Sequence, residues 1–214
     1  MKLSDAKKDY YRKLSKKEGF RSRSAYKLIQ LDKSYHILKP GNTVVDVGCA
    51  PGGWLQVARE AVGQSGMVIG IDIETVTQLA GVTIVQGDIQ NTHTINLLIE
   101  ALKGKANTLL SDVSPRVSGL WSIDHAKQIS LSKSSLDTAR QILIRGGNAV
   151  LKVFEGEFLK EFKKDAESYF ADVHLTKPMA SRQRSSELYM VCLGFKSARK
   201  SRKWTSCVVS LYGF

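Results

Sequence analysis

Residues 44–54, with the sequence VVDVGCAPGGW, decide the fold of this 214-residue chain. The stretch opens with three valines around Asp46, typical of a strand, and continues with Gly48, Gly52 and Gly53 around Pro51. Glycine permits a positive φ and lets a ligand approach the backbone, while the start of a following helix offers free N–H groups. The stretch therefore predicts a strand, a turn that binds a ligand and a helix, although a purely structural tight turn would use the same residues.

On both sides of this stretch, short β-branched runs alternate with longer amphipathic segments. The predicted strands are 43–47, 67–71, 82–86, 107–111, 148–153, 172–176 and 188–195. The predicted helices are 24–38, 53–62, 92–102, 124–145 and 158–170, and Gly146 and Gly147 are expected to end the fourth of these. Strands that alternate with helices predict an α/β fold whose parallel sheet is crossed by helices.

The composition excludes several classes of protein. With 43% hydrophobic and 24% charged residues the chain is neither disordered nor fibrous, and no apolar run is long enough for a membrane span. Cys49, Cys192 and Cys207 are widely spaced and show no zinc-ligand spacing, so neither a disulfide framework nor a metal site is predicted. The charged N-terminus has no apolar signal segment, and we expect a cytoplasmic protein without membrane contact.

The charge is divided unevenly along the chain. Residues 1–40 hold 12 Lys and Arg against 4 Asp and Glu, residues 41–176 hold 12 against 15, and residues 177–214 hold 8 against 1. Basic ends around a mildly acidic middle indicate a ligand-binding or catalytic core with flanks that bind a polyanion. A solvated surface without a partner is the alternative.

Charged residues occur at the ends of five predicted strands. They are Asp46, Asp72, Asp88, Asp112 and Lys152. In an open parallel sheet, ligands bind beyond the carboxyl ends of the strands, so these five side chains are expected to converge on one rim. A single acid at the end of a strand is usually only a helix cap, but charged residues at the ends of five strands favour a binding site.

The acids of this rim favour a nucleoside with a positive charge. Asp72 can accept both ribose hydroxyl protons, and Asp88 can accept from an adenine amino group while the Ile89 N–H reaches a ring nitrogen. The glycine pattern is not that of a nicotinamide site, which requires glycine where Ala50 stands. The sulfonium S-adenosylmethionine fits an acidic pocket better than NAD or ATP does.

Five ordered motifs then carry a family resemblance. Residues 22–28 (SRSAYKL), 46–54 (DVGCAPGGW), 111–115 (SDVSP), 146–157 (GGNAVLKVFEGE) and 185–192 (SSELYMVC) resemble the FtsJ/RrmJ family of ribosomal RNA large-subunit 2′-O-methyltransferases. The resemblance implies a Rossmann-like, S-adenosylmethionine-dependent methyltransferase fold. Its sheet would have seven mostly parallel strands, an antiparallel last strand and helices on both faces.

The resemblance also implies site residues. The family's cofactor positions fall on Gly52, Trp54, Asp72, Asp88 and Asp112, and from the glycine loop and the rim we also expect Gly48, Pro51, Gly53 and Ile89 to bind the cofactor. The expected catalytic residues are Lys27, Asp112, Lys152 and Glu187. If the last strand is antiparallel, Glu187 at its start reaches the rim of Asp112 and Lys152.

Lys152 is the expected acceptor of the ribose hydroxyl proton. Burial and the nearby Lys27 would favour its neutral form, whereas Asp112 and Glu187 would favour its charged form. The sequence leaves this balance open: a charged Lys152 would steer the oxygen, and Asp112 or solvent would take the proton.

Three regions of the chain are expected to differ in role. Residues 1–40 form a basic arm and helix that bind RNA and contribute Lys27, residues 41–195 form the methyltransferase domain, and the basic segment 196–214 stays unassigned. The expected RNA-binding residues are Arg21, Arg23, Arg182 and Arg184, although a frayed, solvated arm is the alternative for the first region.

The resemblance implies a partner as well. The expected substrate is a uridine in the A loop of large-subunit rRNA, within the assembled large ribosomal subunit, bound by a monomer that needs no metal. The same chemistry on tRNA or another RNA, and a non-catalytic RNA-binding ribosome-assembly factor, are the alternatives.

Overall fold

A computed structural model describes residues 3–182 and 185–196 of the chain, with the backbone alone for residues 3–9. The helices are α1 (Leu3–Lys17), α2 (Ala25–Tyr35), α3 (Gly53–Val62), α4 (Thr92–Leu102), α5 (Trp121–Ile142) and α6 (Leu159–Tyr169). The strands are β1 (Thr43–Val47), β2 (Met67–Asp72), β3 (Val82–Gln86), β4 (Ala106–Ser111), β5 (Leu143–Phe154), β6 (Phe170–Thr176) and β7 (Glu187–Phe195).

The strands form one seven-stranded sheet in the order β3-β2-β1-β4-β5-β7-β6. β1 to β5 run parallel to one another, and β7 runs antiparallel to both β5 and β6. The predicted seven-stranded Rossmann-like sheet with an antiparallel last strand is therefore confirmed. Because β1 and β4 are adjacent at its centre while the chain leaves each in a different direction, their carboxyl ends open a crevice.

Helices cover both faces of the sheet, as predicted. One apolar core packs α4, α5 and α6 against the sheet, and the second packs α2 and α3 against the other face. Ala25, Leu28 and Leu31 recur at one side of α2 and are buried in the second core. This burial fixes α2 on the sheet, and Lys27 with it.

Three elements, α5, β5 and α1, differ from the sequence prediction. The helix expected over 124–145 is α5, which begins earlier and ends at Ile142, because Leu143 is already extended and pairs with Ala106. The register then shifts between Ala106 and Thr108, so Gly146, with φ +81°, lies in an irregular part of β5 and does not cap the helix. The basic arm contains a helix, α1, that the sequence did not predict.

Candidate active site

Four charged side chains from distant parts of the chain meet at the carboxyl rim of the sheet. Lys27 Nζ of α2 donates to Glu187 Oε1 at 2.6 Å. Lys152 Nζ of β5 lies 3.5 Å from Asp112 Oδ1 and 3.5 Å from Glu187 Oε2. Both lysine side chains are buried. Buried charges persist when they are paired, and here each amine faces at least one carboxylate.

The antiparallel direction of β7 explains how Glu187 reaches this site. Glu187 is the first residue of β7 and pairs with Phe154, near the end of β5. Lys152 pairs with Tyr189 in the same ladder. Because directly opposed residues of an antiparallel pair share a face, this register sets Lys152 beside the start of β7. Asp112 follows the end of β4, the strand that lies on the other side of β5.

Tyr189 is a fifth member of the cluster, and the sequence analysis missed it. Its hydroxyl donates to Asp112 Oδ1 at 2.6 Å and accepts from Lys27 Nζ at 3.0 Å. Burial, and then the carboxylates of Asp112 and Glu187, raise the pKa of Tyr189 well above its usual value, so the hydroxyl keeps its proton. The alternation of side chains in SSELYMVC could have identified it, since Tyr189 shares a strand face with Glu187.

Glu187 is held in its ionised form. Burial alone would raise the pKa of this carboxyl, but Lys27 and Lys152 outweigh burial and lower it to about 2. Ser181 Oγ also donates to Glu187 Oε1 at 3.1 Å. Glu187 is thus a fixed negative charge between two amines at any physiological pH.

A cavity of about 230 Å³ opens on the same rim. Gly48, Asp72, Asp88 and Ile89 line it together with the loop that follows Asp112. Asp72 is held by two backbone N–H groups, since Oδ2 accepts from Ala50 at 2.7 Å and Oδ1 from Glu74 at 2.9 Å. A carboxylate oxygen accepts more than one hydrogen bond, so Asp72 can still accept from a ligand.

Gly48 has no side chain, so its backbone can line this cavity directly. It has a φ of +73°, and a Cβ built on it would lie 2.7 Å from Val113 Cα. A side chain at this position would therefore clash with the loop on the opposite wall. Position 48 must therefore be glycine if the segments that follow β1 and β4 are to approach each other this closely.

Asp46 differs from the other rim acids. It is fully buried, and neither of its carboxyl oxygens has a hydrogen-bond partner among the residues that the structure describes. Burial, and then Asp112 and Asp72, raise its pKa well above the usual value. Burial therefore favours the neutral form of Asp46, and the acids that line the cavity are Asp72 and Asp88.

The remaining cofactor candidates have other neighbours. Pro51, Gly52, Gly53, Trp54 and Asp112 are not among the residues that line the cavity. A Cβ on Gly52 would lie 2.7 Å from a guanidinium nitrogen of Arg21, and the Trp54 indole N–H donates to the Ser24 carbonyl at 2.8 Å. The glycine loop is thus covered by the segment that joins α1 to α2.

The candidate RNA-binding arginines are in unlike environments. The guanidinium of Arg21 donates to three backbone carbonyls, those of Thr77 at 2.6 Å, Gln78 at 2.9 Å and Pro51 at 3.4 Å. Arg21 therefore links the glycine loop at Pro51 to the loop that follows β2.

Arg23 lies nearer the catalytic cluster. It is half-buried, and burial and the neighbouring Arg182 lower its pKa, which Glu187 partly offsets. Arg182 is exposed, and Arg184 lies outside the described residues. Arg23 and Arg182 thus remain the candidates whose charge can meet a phosphate next to the site.

Among the side chains that the structure describes, those of residues 10–182 and 185–196, no three His, Cys, Asp or Glu are grouped so that they could hold a metal ion. No helix in the same residues has the length and apolar character that a membrane crossing requires.

Known proteins resemble this chain along most of its length. The FtsJ-like methyltransferase family matches residues 20–195. A protein of Nitrosopumilus maritimus named ribosomal RNA large subunit methyltransferase E is 50% identical over 195 residues, which cover 91% of this chain and 99% of the relative. A protein of the same name from Methanocaldococcus jannaschii is 42% identical over 203 residues, covering 92% of this chain and 81% of the relative.

A solved structure agrees with these matches. A crystal structure from Plasmodium falciparum, described as that of a ribosomal RNA methyltransferase, superposes with a TM-score of 0.74 at 32% sequence identity. The match covers 83% of this chain and 100% of that chain.

Proposed function

The chain belongs to the family of FtsJ-like methyltransferases, and from this we propose that it methylates a ribose 2′-oxygen of large-subunit ribosomal RNA with S-adenosylmethionine as the donor. The observation that carries the proposal is the cluster of two amines and two carboxylates beside an acid-lined cavity. Such a cluster can orient a hydroxyl and manage its proton, which are the two requirements of methylation at oxygen.

The donor fits the residues that line the cavity. Asp72 offers carboxylate oxygens for the ribose hydroxyls of the donor, and Asp88 with the Ile89 backbone suits the adenine edge. The acidic walls also suit a ligand with a net positive charge better than a pyrophosphate. When bound, S-adenosylmethionine supplies an electrophilic methyl group on its sulfonium sulfur.

Lys152 is the proposed acceptor of the 2′-hydroxyl proton. When the 2′-oxygen takes the methyl group, its O–H bond would break and the proton would pass to Nζ of Lys152, while the methyl–sulfur bond would break and leave the sulfur as a neutral thioether. Asp112 Oδ1 and Glu187 Oε2 each lie 3.5 Å from this amine and would stabilise the ammonium group that forms when it takes the proton.

The other members of the cluster hold Lys152 and the substrate oxygen in place. Lys27 is fixed by Glu187 at 2.6 Å and by Tyr189 at 3.0 Å, and it offers a positive charge beside the developing oxyanion. Glu187 accepts from Lys27 and faces Lys152, so one carboxylate sets the position of both amines.

The proposed substrate follows from the names of the relatives and from the charge of the chain. The relatives from Nitrosopumilus and Methanocaldococcus are both named ribosomal RNA large subunit methyltransferases. The net charge of +12 suits a nucleic acid. The finer proposal is a uridine of the A loop, methylated in the assembled large subunit by a cytoplasmic monomer without a metal.

A methyl-transfer assay on three substrates tests this proposal. Tritiated S-adenosylmethionine is incubated with unmodified large ribosomal subunits, free large-subunit rRNA and tRNA, and the labelled nucleotide is mapped. The proposal predicts label in the large-subunit rRNA. Label only in tRNA would move the same chemistry to another substrate, and no label with any RNA would indicate a non-catalytic binding protein.

The role of Lys152 has its own test. Lys152→Met should abolish turnover while leaving the affinity for the donor near that of the wild type, and Lys152→Arg should not restore it, because guanidinium does not lose its proton. Lys164→Met, at an exposed position of α6, is the matched control and should retain turnover. Near-full turnover of Lys152→Arg would show that this residue steers the oxygen and does not accept the proton.

A further inference from the structure

Apolar side chains are exposed where the chain leaves the active site. Val117, Leu120, Trp121 and Ile123 are 71%, 61%, 51% and 43% exposed. All four lie in the loop after Asp112 or in the first turn of α5, and we call residues 117–123 the apolar wall. Exposed apolar side chains that cluster in this way mark binding surfaces.

The loop that carries the wall is held in a fixed shape. The Asp124 carboxylate accepts from the backbone N–H of Ser118 at 2.8 Å, from the Ser118 hydroxyl at 2.7 Å and from the Gly119 N–H at 3.1 Å. These bonds fold residues 118–120 back on the start of α5. The apolar wall therefore has a fixed conformation, and a partner that binds it would order few additional residues, so little conformational entropy is lost.

An aromatic stack joins the wall to the catalytic cluster. The Trp121 ring lies 5.9 Å from the Phe154 ring with an interplanar angle of 24°, and 6.0 Å from the His125 ring at 20°. Phe154 is the strand partner of Glu187 and follows Lys152 by two residues. Phe154 thus connects the Trp121 ring to the strand position opposite Glu187.

We propose that the apolar wall is a stacking surface for an unpaired base next to the target nucleotide, with Trp121 as its main contact. Single-stranded RNA exposes flat apolar base faces, which proteins bind by stacking on aromatic side chains. The wall follows the lining of the cavity directly in the chain, because residues 113–116 line the cavity and Val117 comes next. The inference rests on the proposed function, because it takes RNA to be the substrate.

Substitution of Trp121 tests the proposal through binding. The probe is an oligouridylate that carries one 2-aminopurine, whose fluorescence is quenched when it stacks on an aromatic ring. We expect Trp121→Ala to weaken binding by about fivefold or more, the low end for loss of one stacked base, and to abolish the quenching. Trp121→Phe should restore most of both, and the salt dependence should not change because no charge is removed.

Two further variants keep the result interpretable. Ile144→Ala removes an apolar side chain that is 38% exposed at the opposite end of β5, and it should bind as the wild type does. Leu120→Ser changes the wall without touching the Phe154 stack, so it should weaken binding even if Trp121→Ala proves unstable.

The outcomes separate this inference from the proposed function. Equal affinity of Trp121→Ala and Ile144→Ala for the probe would overturn the inference. So would a defect seen only on assembled ribosomal subunits, because it would indicate a protein contact. Quenching is read without the methyl donor, so a wild type that stacks the probe but transfers no methyl group would contradict the proposed function alone.

Discussion

Tyr189 gives a quantitative test of the catalytic cluster through the substitution Tyr189→Phe. The change keeps the buried ring, which lies 5.7 Å from Trp54, and removes only the hydroxyl. Two short hydrogen bonds to charged groups are lost, at 2.6 Å to Asp112 and at 3.0 Å from Lys27, together with a long contact of 3.4 Å to Glu187 Oε1. Each such bond contributes roughly 1.5–3 kcal/mol, and since both charges keep another partner, we expect a loss near the low end, about 3 kcal/mol.

The assay is urea unfolding at neutral pH, with turnover measured in parallel. Tyr35→Phe is the control, because its ring is half-buried against His174 and no hydrogen bond of its hydroxyl is found among the described residues. The control should change the free energy of unfolding by no more than about 0.5 kcal/mol. Equal effects of the two substitutions would refute the idea that the Tyr189 hydroxyl links Lys27 to Asp112.

Three other predictions concern single side chains. For Glu187, a pKa lowered from 4.5 to about 2 corresponds to about 3 kcal/mol of folding stability. This stability is present at pH values above 4.5 and is lost as the pH falls toward 2. Glu187→Gln should therefore be destabilising at pH 7, and the gap to the wild type should close in acid unfolding experiments. For Asp46 the pKa is raised, so the folded wild type loses stability as pH rises above the ordinary pKa of the carboxyl. Asp46→Asn has no carboxyl to ionise and should therefore become more stable relative to the wild type between pH 4 and 7. A stability difference that stays constant over this range would contradict the prediction. Arg21→Ala should weaken binding of the methyl donor in calorimetry and leave the salt dependence of RNA binding unchanged, whereas Arg23→Ala should lower that salt slope by about 1.

The fold could be predicted because its signals are local. Alternating strand and helix patterns with glycine turns fix the element order, and the family resemblance supplied the antiparallel last strand, which the structure confirms. The predicted end of α5 at residue 145 was wrong, because the apolar residues 142–144 suit a helix as well as a strand. Pairing of Leu143 with Ala106, a contact distant in sequence, decides the matter.

The site could be predicted only in part, because motifs identify charged residues better than the groups that hold them. Lys27 and Glu187 are 160 positions apart, and the motif resemblance was enough to expect them together. Tyr189 carries no charge and resembles any core tyrosine in the sequence. Arg21 is predicted to contact a phosphate, and the backbone carbonyls to which it donates could not be predicted, because they depend on the three-dimensional path of loop 73–81.

The position of the transferred methyl group tests the central claim most directly. Large-subunit rRNA labelled by the wild-type protein with tritiated donor is hydrolysed in alkali, which cannot cleave next to a methylated ribose 2′-oxygen. We predict that the label remains in an alkali-stable dinucleotide and that Lys152→Met yields none. Label released in ordinary mononucleotides, and hence carried on a base, would contradict the assignment of this cluster to ribose chemistry.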